Sequence, residues 1–185
     1  VPPNPYDAKG LLMSAIQEDN LVVFSEDKTL LGQKGNVPEE PYTIEIGKAN
    51  VTREGDDLTI VAIGKMVAVA EETAEKLAED QVSVEVIDLR SVSPWDQETV
   101  LDSVKKTGRL IVIDESNPQC NIAGDVASVI GDVGFDYLDG PIKKVTAPDT
   151  PVPFAANLEA AYMPNADKVL DIASELIDDL KKANA

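Results

Sequence analysis

Short apolar runs alternate with amphipathic helical segments over most of this chain, and this alternation restricts the possible folds more than any other feature. The runs are rich in Val, Ile and Leu, as are parallel strands that are buried on both faces. The segments between them carry Ala, Glu and Lys, with apolar residues at helical spacing. The predicted strands are residues 58–64, 82–89, 110–114 and 142–146, and the predicted helices are residues 66–80, 94–107, 121–138 and 167–183.

Strands and helices in this order form right-handed βαβ crossovers. The sequence therefore predicts the α/β class, as a three-layer αβα sandwich with a mainly parallel sheet. The central unit is segment 82–96, VSVEVIDLRSVSPWD, which contains a buried strand and the start of a helix. We expect Ser93 to be the N-cap of that helix and Pro94 to take its first position, because a proline there loses no hydrogen bond.

Residues 1–55 depart from the pattern and predict a helix-strand arm in front of the sandwich. Residues 7–19 are expected to form an amphipathic helix that Asp7 caps. Residues 21–25 (LVVFS) read as a wholly apolar strand, and residues 42–46 (YTIEI) as an edge strand or an extended linker. A lone helix and strand cannot bury such a strand. We therefore expect the arm to be the end of a preceding α/β domain, in a processed protein or an expressed fragment.

The composition excludes several kinds of site. The formal charge of −18 argues against a nucleic-acid or anionic-membrane surface, because phosphates are bound through clustered Lys and Arg. With 0 His and 1 Cys, the chain has no internal disulfide, no Cys/His zinc site and no Ser-His or Cys-His nucleophile. No apolar run is long enough to span a membrane, and the first residues lack the pattern of a signal peptide. A cytoplasmic protein is expected.

A few local features invite a functional interpretation. Asp114 and Glu115 follow a predicted strand, at the end where open α/β sheets bind ligands, and two carboxylates there could act as an acid–base pair. Adjacent residues of an extended chain point to opposite sides, however. Loop hydrogen bonds and helix capping are therefore the favoured roles. Cys120 starts a helix, yet it lacks a basic neighbour and is expected to be a buried or inert thiol. The turn 63–66 is at most a weak anion site. Solvated surface is expected for Asp56, Asp57, Asp178 and Asp179.

Six segments together resemble one family, in order and in spacing. They are PYDAKGLLMSAI, VVFSEDKTL, VPEEPYTIEIGKA, VEVIDLRSVSPWD, SVKKTGRLIVIDE and TAPDTPVPF. The chain resembles, over essentially its whole length, the C-terminal part of the β subunit of thiamine-diphosphate-dependent 2-oxo acid dehydrogenase E1 components. Within that superfamily, DESNPQC at 114–120 followed by APDTPVPF is more similar to acetoin dehydrogenase β subunits than to the pyruvate or branched-chain enzymes.

The resemblance implies a division of the chain into residues 1–30, the end of a truncated pyrimidine-binding domain, residues 31–55, a linker, and residues 56–185, a transketolase C-terminal-like domain. In the family, the glutamate, aromatic residue and histidine around the thiamine ring lie upstream, and the α subunit holds the diphosphate and Mg²⁺. The resemblance therefore implies that thiamine diphosphate and Mg²⁺ belong to the intact enzyme, and that this chain contributes no catalytic or cofactor-binding residue.

The resemblance also implies sites and partners. A monovalent-cation site, for K⁺ among others, maps onto Ala15, Glu18 and Asn20, where helix-end carbonyls are unpaired, although a plain helix C-cap is favoured. Asp149 maps onto the surface that docks the basic peripheral-subunit-binding domain of E2. The other expected partners are the E1 α subunit and a second β subunit in a dimer, through residues 121–138 and the loops around Trp95.

Two functions from different classes remain open. The first is an assembly and E2-docking domain of an E1 enzyme that acts on acetoin, pyruvate or another 2-oxo acid and passes the acyl group to lipoyl-E2. The second is an independent flavodoxin-like domain that binds a small anion or nucleotide above the strand ends. A histidine-bearing pyrimidine-binding domain encoded upstream would favour the first.

Overall fold

The computed structural model describes the backbone of residues 1–183 and the side chains of residues 1–177. The strands are β1 (Asn50–Arg53), β2 (Leu58–Ala62), β3 (Val84–Asp88), β4 (Leu110–Ile113) and β5 (Lys143–Val145). The helices are α1 (Pro5–Gln17), α2 (Met66–Glu79), α3 (Gln97–Thr107), α4 (Ile122–Val133), α5 (Ala156–Tyr162) and α6 (Ala166–Ala183), with a 3-10 turn at Phe135–Tyr137. Asp178 and Asp179, predicted to be solvated, have side chains outside the described part.

The strands form one sheet in the order β1-β3-β2-β4-β5. β2, β3, β4 and β5 run parallel, and the short β1 is antiparallel to β3 at one edge. In the middle of the sheet Ile60 lies opposite Val86 on one side and Ile111 on the other. These pairings confirm the predicted α/β class with a mainly parallel sheet.

Helices cover both faces of the sheet because successive strand residues point to opposite sides. Ile60 and its neighbours of the same parity pack with α2 and α6, whereas Val61 packs with α3 and α4. All five residues of β2 and of β3 are buried, as expected for strands with a helix layer on each side. The three-layer arrangement was therefore predictable from the sequence. Among the described residues, no helix is long and apolar enough to cross a bilayer.

The start of α3 differs from the prediction. Its N-cap is Asp96, whose carboxylate accepts hydrogen bonds from the backbone N–H (3.2 Å) and the hydroxyl (2.9 Å) of Thr99. Ser93 and Pro94 lie in the preceding loop, and the peptide bond between them is cis. A carboxylate accepts the unpaired N–H groups of a helix N-terminus as well as a serine hydroxyl does, and its negative charge also interacts favourably with the helix dipole. Asp96 is therefore the N-cap instead of Ser93.

The N-terminal arm also differs from the prediction. α1 begins at Pro5, and its cap is Asn4, whose side chain accepts from the N–H of Asp7 at 2.9 Å. Residues 21–25 do not form the predicted strand, because no strand lies beside this extended segment in the described chain. Residues 42–46 form no strand either, which agrees with the extended linker that was the alternative prediction for them. β1 instead forms inside the predicted linker, so the sheet begins before residue 56. The division into domains itself stays a prediction.

Candidate functional site

Two neighbouring segments form a surface at the carboxyl edge of the sheet. They are the β4–α4 loop, residues 114–121, and the Asp149 turn, residues 146–153. β4 and β5 are adjacent and parallel, so the segments that follow them leave the sheet side by side. Backbone bonds join them: the N–H of Ala147 donates to the carbonyl of Ser116 at 3.2 Å.

Two side chains of the β4–α4 loop hold the Asp149 turn. Asn117 Nδ2 donates to the carbonyls of Pro148 (3.0 Å) and Thr150 (3.3 Å), which flank Asp149. Gln119 Nε2 donates to Asp149 Oδ2 at 3.0 Å. Asp149 is exposed and forms no ion pair with a described residue, so its charge is available to another molecule.

Apolar side chains continue this surface beyond the carboxylate. Phe154 is fully exposed, and Val152 and Leu158 are more than half exposed. Apolar groups in water next to an ordered charge are typical of a protein-binding surface. This apolar patch was not predicted from the sequence, because the short helix α5 that carries Leu158 was not predicted.

The carboxylates of Asp114 and Glu115 do not act as a pair. Asp114 is buried and accepts from the N–H of Ser116 at 2.9 Å. Glu115 Oε2 instead lies 2.8 Å from Lys65 Nζ, which is also 3.5 Å from Asp27 Oδ2. Burial opposes the charge of Lys65, but these carboxylates outweigh it and raise the pKa of Lys65. Because two carboxylates already pair with its charge, Lys65 is a poor anion ligand, in agreement with the prediction that the turn 63–66 is at most a weak anion site.

Cys120 was expected to be buried or inert, and the first part of that expectation is wrong. Its side chain is exposed, directly before Asn121, the N-cap of α4. Its φ of 52° is left-handed, which places it at a sharp bend of the β4–α4 loop. Within the described residues, no group of three or more His, Cys, Asp or Glu side chains could hold a metal ion.

A buried charged cluster at the end of β3 was missed by the sequence analysis. Arg90 Nη2 lies 2.6 Å from Asp7 Oδ1, and its Nε lies 3.9 Å from Asp88 Oδ2, too far for a hydrogen bond. Burial raises the pKa of Asp88 to about 7, and the Asp7 carboxylate adds to the rise while Arg90 opposes it. Both carboxylates are buried, so this cluster attaches α1 to the sheet.

The cation candidates lie at the end of α1, away from the Asp149 turn. The N–H of Glu18 donates to the carbonyl of Ser14 at 3.2 Å, which makes Glu18 the C-cap of the helix. Ala15 and Glu18 line a groove of about 620 Å³, whereas Asn20 is exposed beyond it. The geometry agrees with a plain C-cap, and the cation site stays a prediction.

The groove is mostly apolar and open to solvent. Residues 21–25 form one wall, where Leu21 is 94% exposed and Val23 is 86% exposed. On the predicted self-association surface, Val133, Phe135 and Tyr137 are exposed, whereas Trp95 is half-buried against the core. Within the described residues, apolar side chains therefore face solvent in this groove, at residues 133–137 and near the Asp149 turn.

Comparisons with known proteins identify the family of this chain. The model of the family "Transketolase, C-terminal domain" matches residues 47–169. The chain is 52% identical over 177 residues to the β subunit of acetoin:2,6-dichlorophenolindophenol oxidoreductase from Bacillus subtilis, covering 96% of this chain and 52% of the relative. It is 46% identical over 179 residues to the pyruvate dehydrogenase E1 component subunit β of the same organism, covering 96% and 55%.

A solved structure supports the same fold. A split-gene transketolase, described as an inactive β4 tetramer, matches with a TM-score of 0.64 and 29% identity, covering 74% of this chain and 43% of that one. The chain spans about half the length of the curated relatives it matches. Because the family model covers most of the chain, and the sheet order and helix layers agree with it, the chain belongs to the transketolase C-terminal domain family.

Proposed function

We propose that this chain is the C-terminal assembly and E2-docking part of the E1 β subunit of a thiamine-diphosphate-dependent acetoin or pyruvate dehydrogenase complex. The observation that carries the proposal is the Asp149 turn, an exposed carboxylate held by Asn117 and Gln119 beside exposed apolar side chains. The names of the relatives support the E1 β assignment, with acetoin and pyruvate as the candidate substrates.

We propose that thiamine diphosphate and Mg²⁺ are held by residues outside this chain. Its sequence has 0 His, and the described residues contain no cluster of three metal-ligating side chains. Both groups would be held in the intact enzyme by the remainder of the β subunit and by the α subunit, where the cofactor would stabilise the carbanion formed from the substrate. The contribution of this chain is then to position subunits rather than to perform chemistry.

The exposed groove beside α1 supports this assembly role. Leu21 and Val23 lie almost fully in solvent, a cost in free energy that a packed neighbour would remove. We assign this groove to the preceding part of the β subunit. Residues 133–137 are proposed for contact with a second β subunit. The split-gene transketolase, which is described as an inactive β4 tetramer, is an example of a similar protein that self-associates. Sedimentation that shows a strict monomer at roughly 100 μM would contradict the second contact.

The E2 partner is a small basic domain. A chain with a charge of −18 attracts such a domain over a distance, and one exposed carboxylate in a turn with three prolines can then dock it with little loss of conformational freedom. The prolines Pro148, Pro151 and Pro153 restrict the backbone on both sides of Asp149. The diffuse field sets the encounter rate, whereas Asp149 sets the orientation.

The test is the affinity of the α–β assembly for the E2 peripheral-subunit-binding domain in about 0.15 M salt, which screens the diffuse field. Asp149→Ala is expected to lower the affinity by about 2 kcal/mol or more, because a basic group of the partner would remain buried and unpaired. Asp56→Ala is the matched control, because it removes the same charge from an exposed position. Asp56 precedes β2 and lies at the amino ends of the parallel strands, whereas Asp149 lies beyond their carboxyl ends. Equal affinities of the two variants would remove Asp149 from the docking surface.

A further inference from the structure

We propose that Asn117 and Gln119 are positioning residues for docking, which hold the Asp149 carboxylate in one orientation before the partner arrives. This inference rests on the proposed docking function and adds to it the second segment of the docking surface, the β4–α4 loop. It follows from hydrogen bonds between residues about 30 positions apart in the sequence.

Asn117 fixes the backbone on both sides of Asp149. Its one amide group donates to the carbonyl before Asp149 and to the carbonyl after it, so the turn is clamped across the residue that carries the charge. Tyr162, which is buried on α5, donates its hydroxyl to the same Thr150 carbonyl at 3.2 Å. These donors replace water at carbonyls that a mobile turn would expose.

The clamp is itself attached to a helix. Asn121 caps α4 through its Oδ1, which accepts from the N–H of Gly124 at 2.7 Å. The Nδ2 of the same side chain donates to the carbonyl of Asn117, also at 2.7 Å. Asn117 thus connects the Asp149 turn to the first turn of α4, and this helix is packed in the core.

Gln119 orients the carboxylate without neutralising it. A lysine or arginine in its place would pair with Asp149 and compete with a basic partner, whereas a neutral amide fixes one oxygen and leaves the full negative charge. Preorganisation of this kind reduces the side-chain entropy that binding would otherwise remove. The partner that fits is therefore one that supplies a cationic group to an already oriented carboxylate.

The test is a double-mutant cycle in the assembled E1 enzyme, with the E2 peripheral-subunit-binding domain as the probe. Asn117→Ala is expected to weaken binding about five- to tenfold, mostly through faster dissociation, with an unchanged melting temperature of the assembly. Added to Asp149→Ala, the same change is expected to have no further effect, because a positioning residue acts only through the group that it positions.

A second variant separates positioning from the general electrostatic field. Gln119→Glu adds a negative charge that attracts a basic partner, but it removes the donor to Asp149 and places two carboxylates together. We expect weaker binding, and tighter binding would overturn the inference. An equal loss from Asn117→Ala with and without Asp149 would also overturn it. If Asp149→Ala alone changes nothing, the docking function fails, a result distinct from a failure of the two positioning residues.

Discussion

Replacing Asp88 by asparagine is expected to stabilise this chain at pH 8 and to reduce the pH dependence of its stability. Asp88 ends β3 with no exposed surface, and its Oδ2 has no hydrogen-bond partner among the described residues. Its Oδ1 accepts the N–H of Arg90 at 2.9 Å, a bond that the asparagine oxygen can keep. The variant therefore removes a buried charge while it retains the contact that shapes the turn.

The sign and size of the effect follow from proton binding. Burial raises the pKa of Asp88 from 3.8 to about 7, so between these values the folded state holds a proton that the unfolded state has released. Stability then falls as the pH rises through this window and levels off above it. The full window corresponds to about 4 kcal/mol, and the part between pH 5 and pH 7 corresponds to about 3 kcal/mol.

Urea unfolding at pH 5 and pH 8 measures this effect, with the fluorescence of Trp95, the one tryptophan of the chain, as the probe. We expect the free energy of unfolding of Asp88→Asn minus that of the wild type to be about 3 kcal/mol larger at pH 8 than at pH 5, which means that the variant gains stability at pH 8. Asp56→Asn, the same change at an exposed residue, is the control. If the two variants respond alike to pH, the reasoning about the buried carboxylate is refuted.

Three further results are expected. Gly55→Ala should destabilise the chain by about 2 kcal/mol or more in the same unfolding assay, because a Cβ there would overlap the backbone of β3; Gly32→Ala has open space around it and should be neutral. Thr59→Val should cost about 1 to 3 kcal/mol, since it removes the buried partner of two hydroxyls on α3, at 2.6 and 2.7 Å. Amide exchange of residues 21–25 should be fast; protection equal to that of β3 would show a stable pairing that this fold lacks.

The sandwich could be predicted because its determinants are local. A run such as LTIVA in β2 is apolar at every position, and such a run has few alternatives to a strand between two helix layers. The connecting helices carry their own signals, for example Gly108, which ends α3 with a φ of 69°. Periodicity and end signals together were enough to order the elements.

The errors occurred where a local rule competed with a distant contact. Asp7 was a reasonable helix cap, but it pairs with Arg90, which is 83 residues away in the sequence, and Asn4 is the cap instead. Residues 21–25 have strand propensity, yet a strand forms only beside another strand, and none is adjacent. Propensity in a single segment does not reveal whether such a neighbour exists.

The candidate site was only partly accessible from sequence. Asp149 was selected through its resemblance to a family motif, and the structure adds that its carboxylate is exposed and oriented. The roles of Asn117 and Gln119 could not have been predicted, because the loop that carries them meets the Asp149 turn only when β4 and β5 pair. Asp88 and Arg90 stand in the DLR segment, but their burial depends on the arm that covers them.

The arm itself leads to the last prediction, because it buries an acidic residue while some of its apolar residues face solvent. Asp7 is buried against the sheet, whereas Ile16 is 70% exposed and Leu21 is 94% exposed. An arm that ended at solvent would bury the apolar residues and expose the acid. Leu21→Ser is therefore expected to change the unfolding free energy of this chain by less than about 0.5 kcal/mol.

The same variant should cost about 1 to 2 kcal/mol in a full-length β subunit, where we expect Leu21 to be covered. Leu11→Ser is the control, because Leu11 is already buried in this chain and its loss should destabilise both proteins alike. Chemical unfolding of the four variants gives the comparison. Equal effects of Leu21→Ser in the short and long proteins would mean that the groove faces solvent in both, and that the exposed wall does not mark a subunit or domain contact.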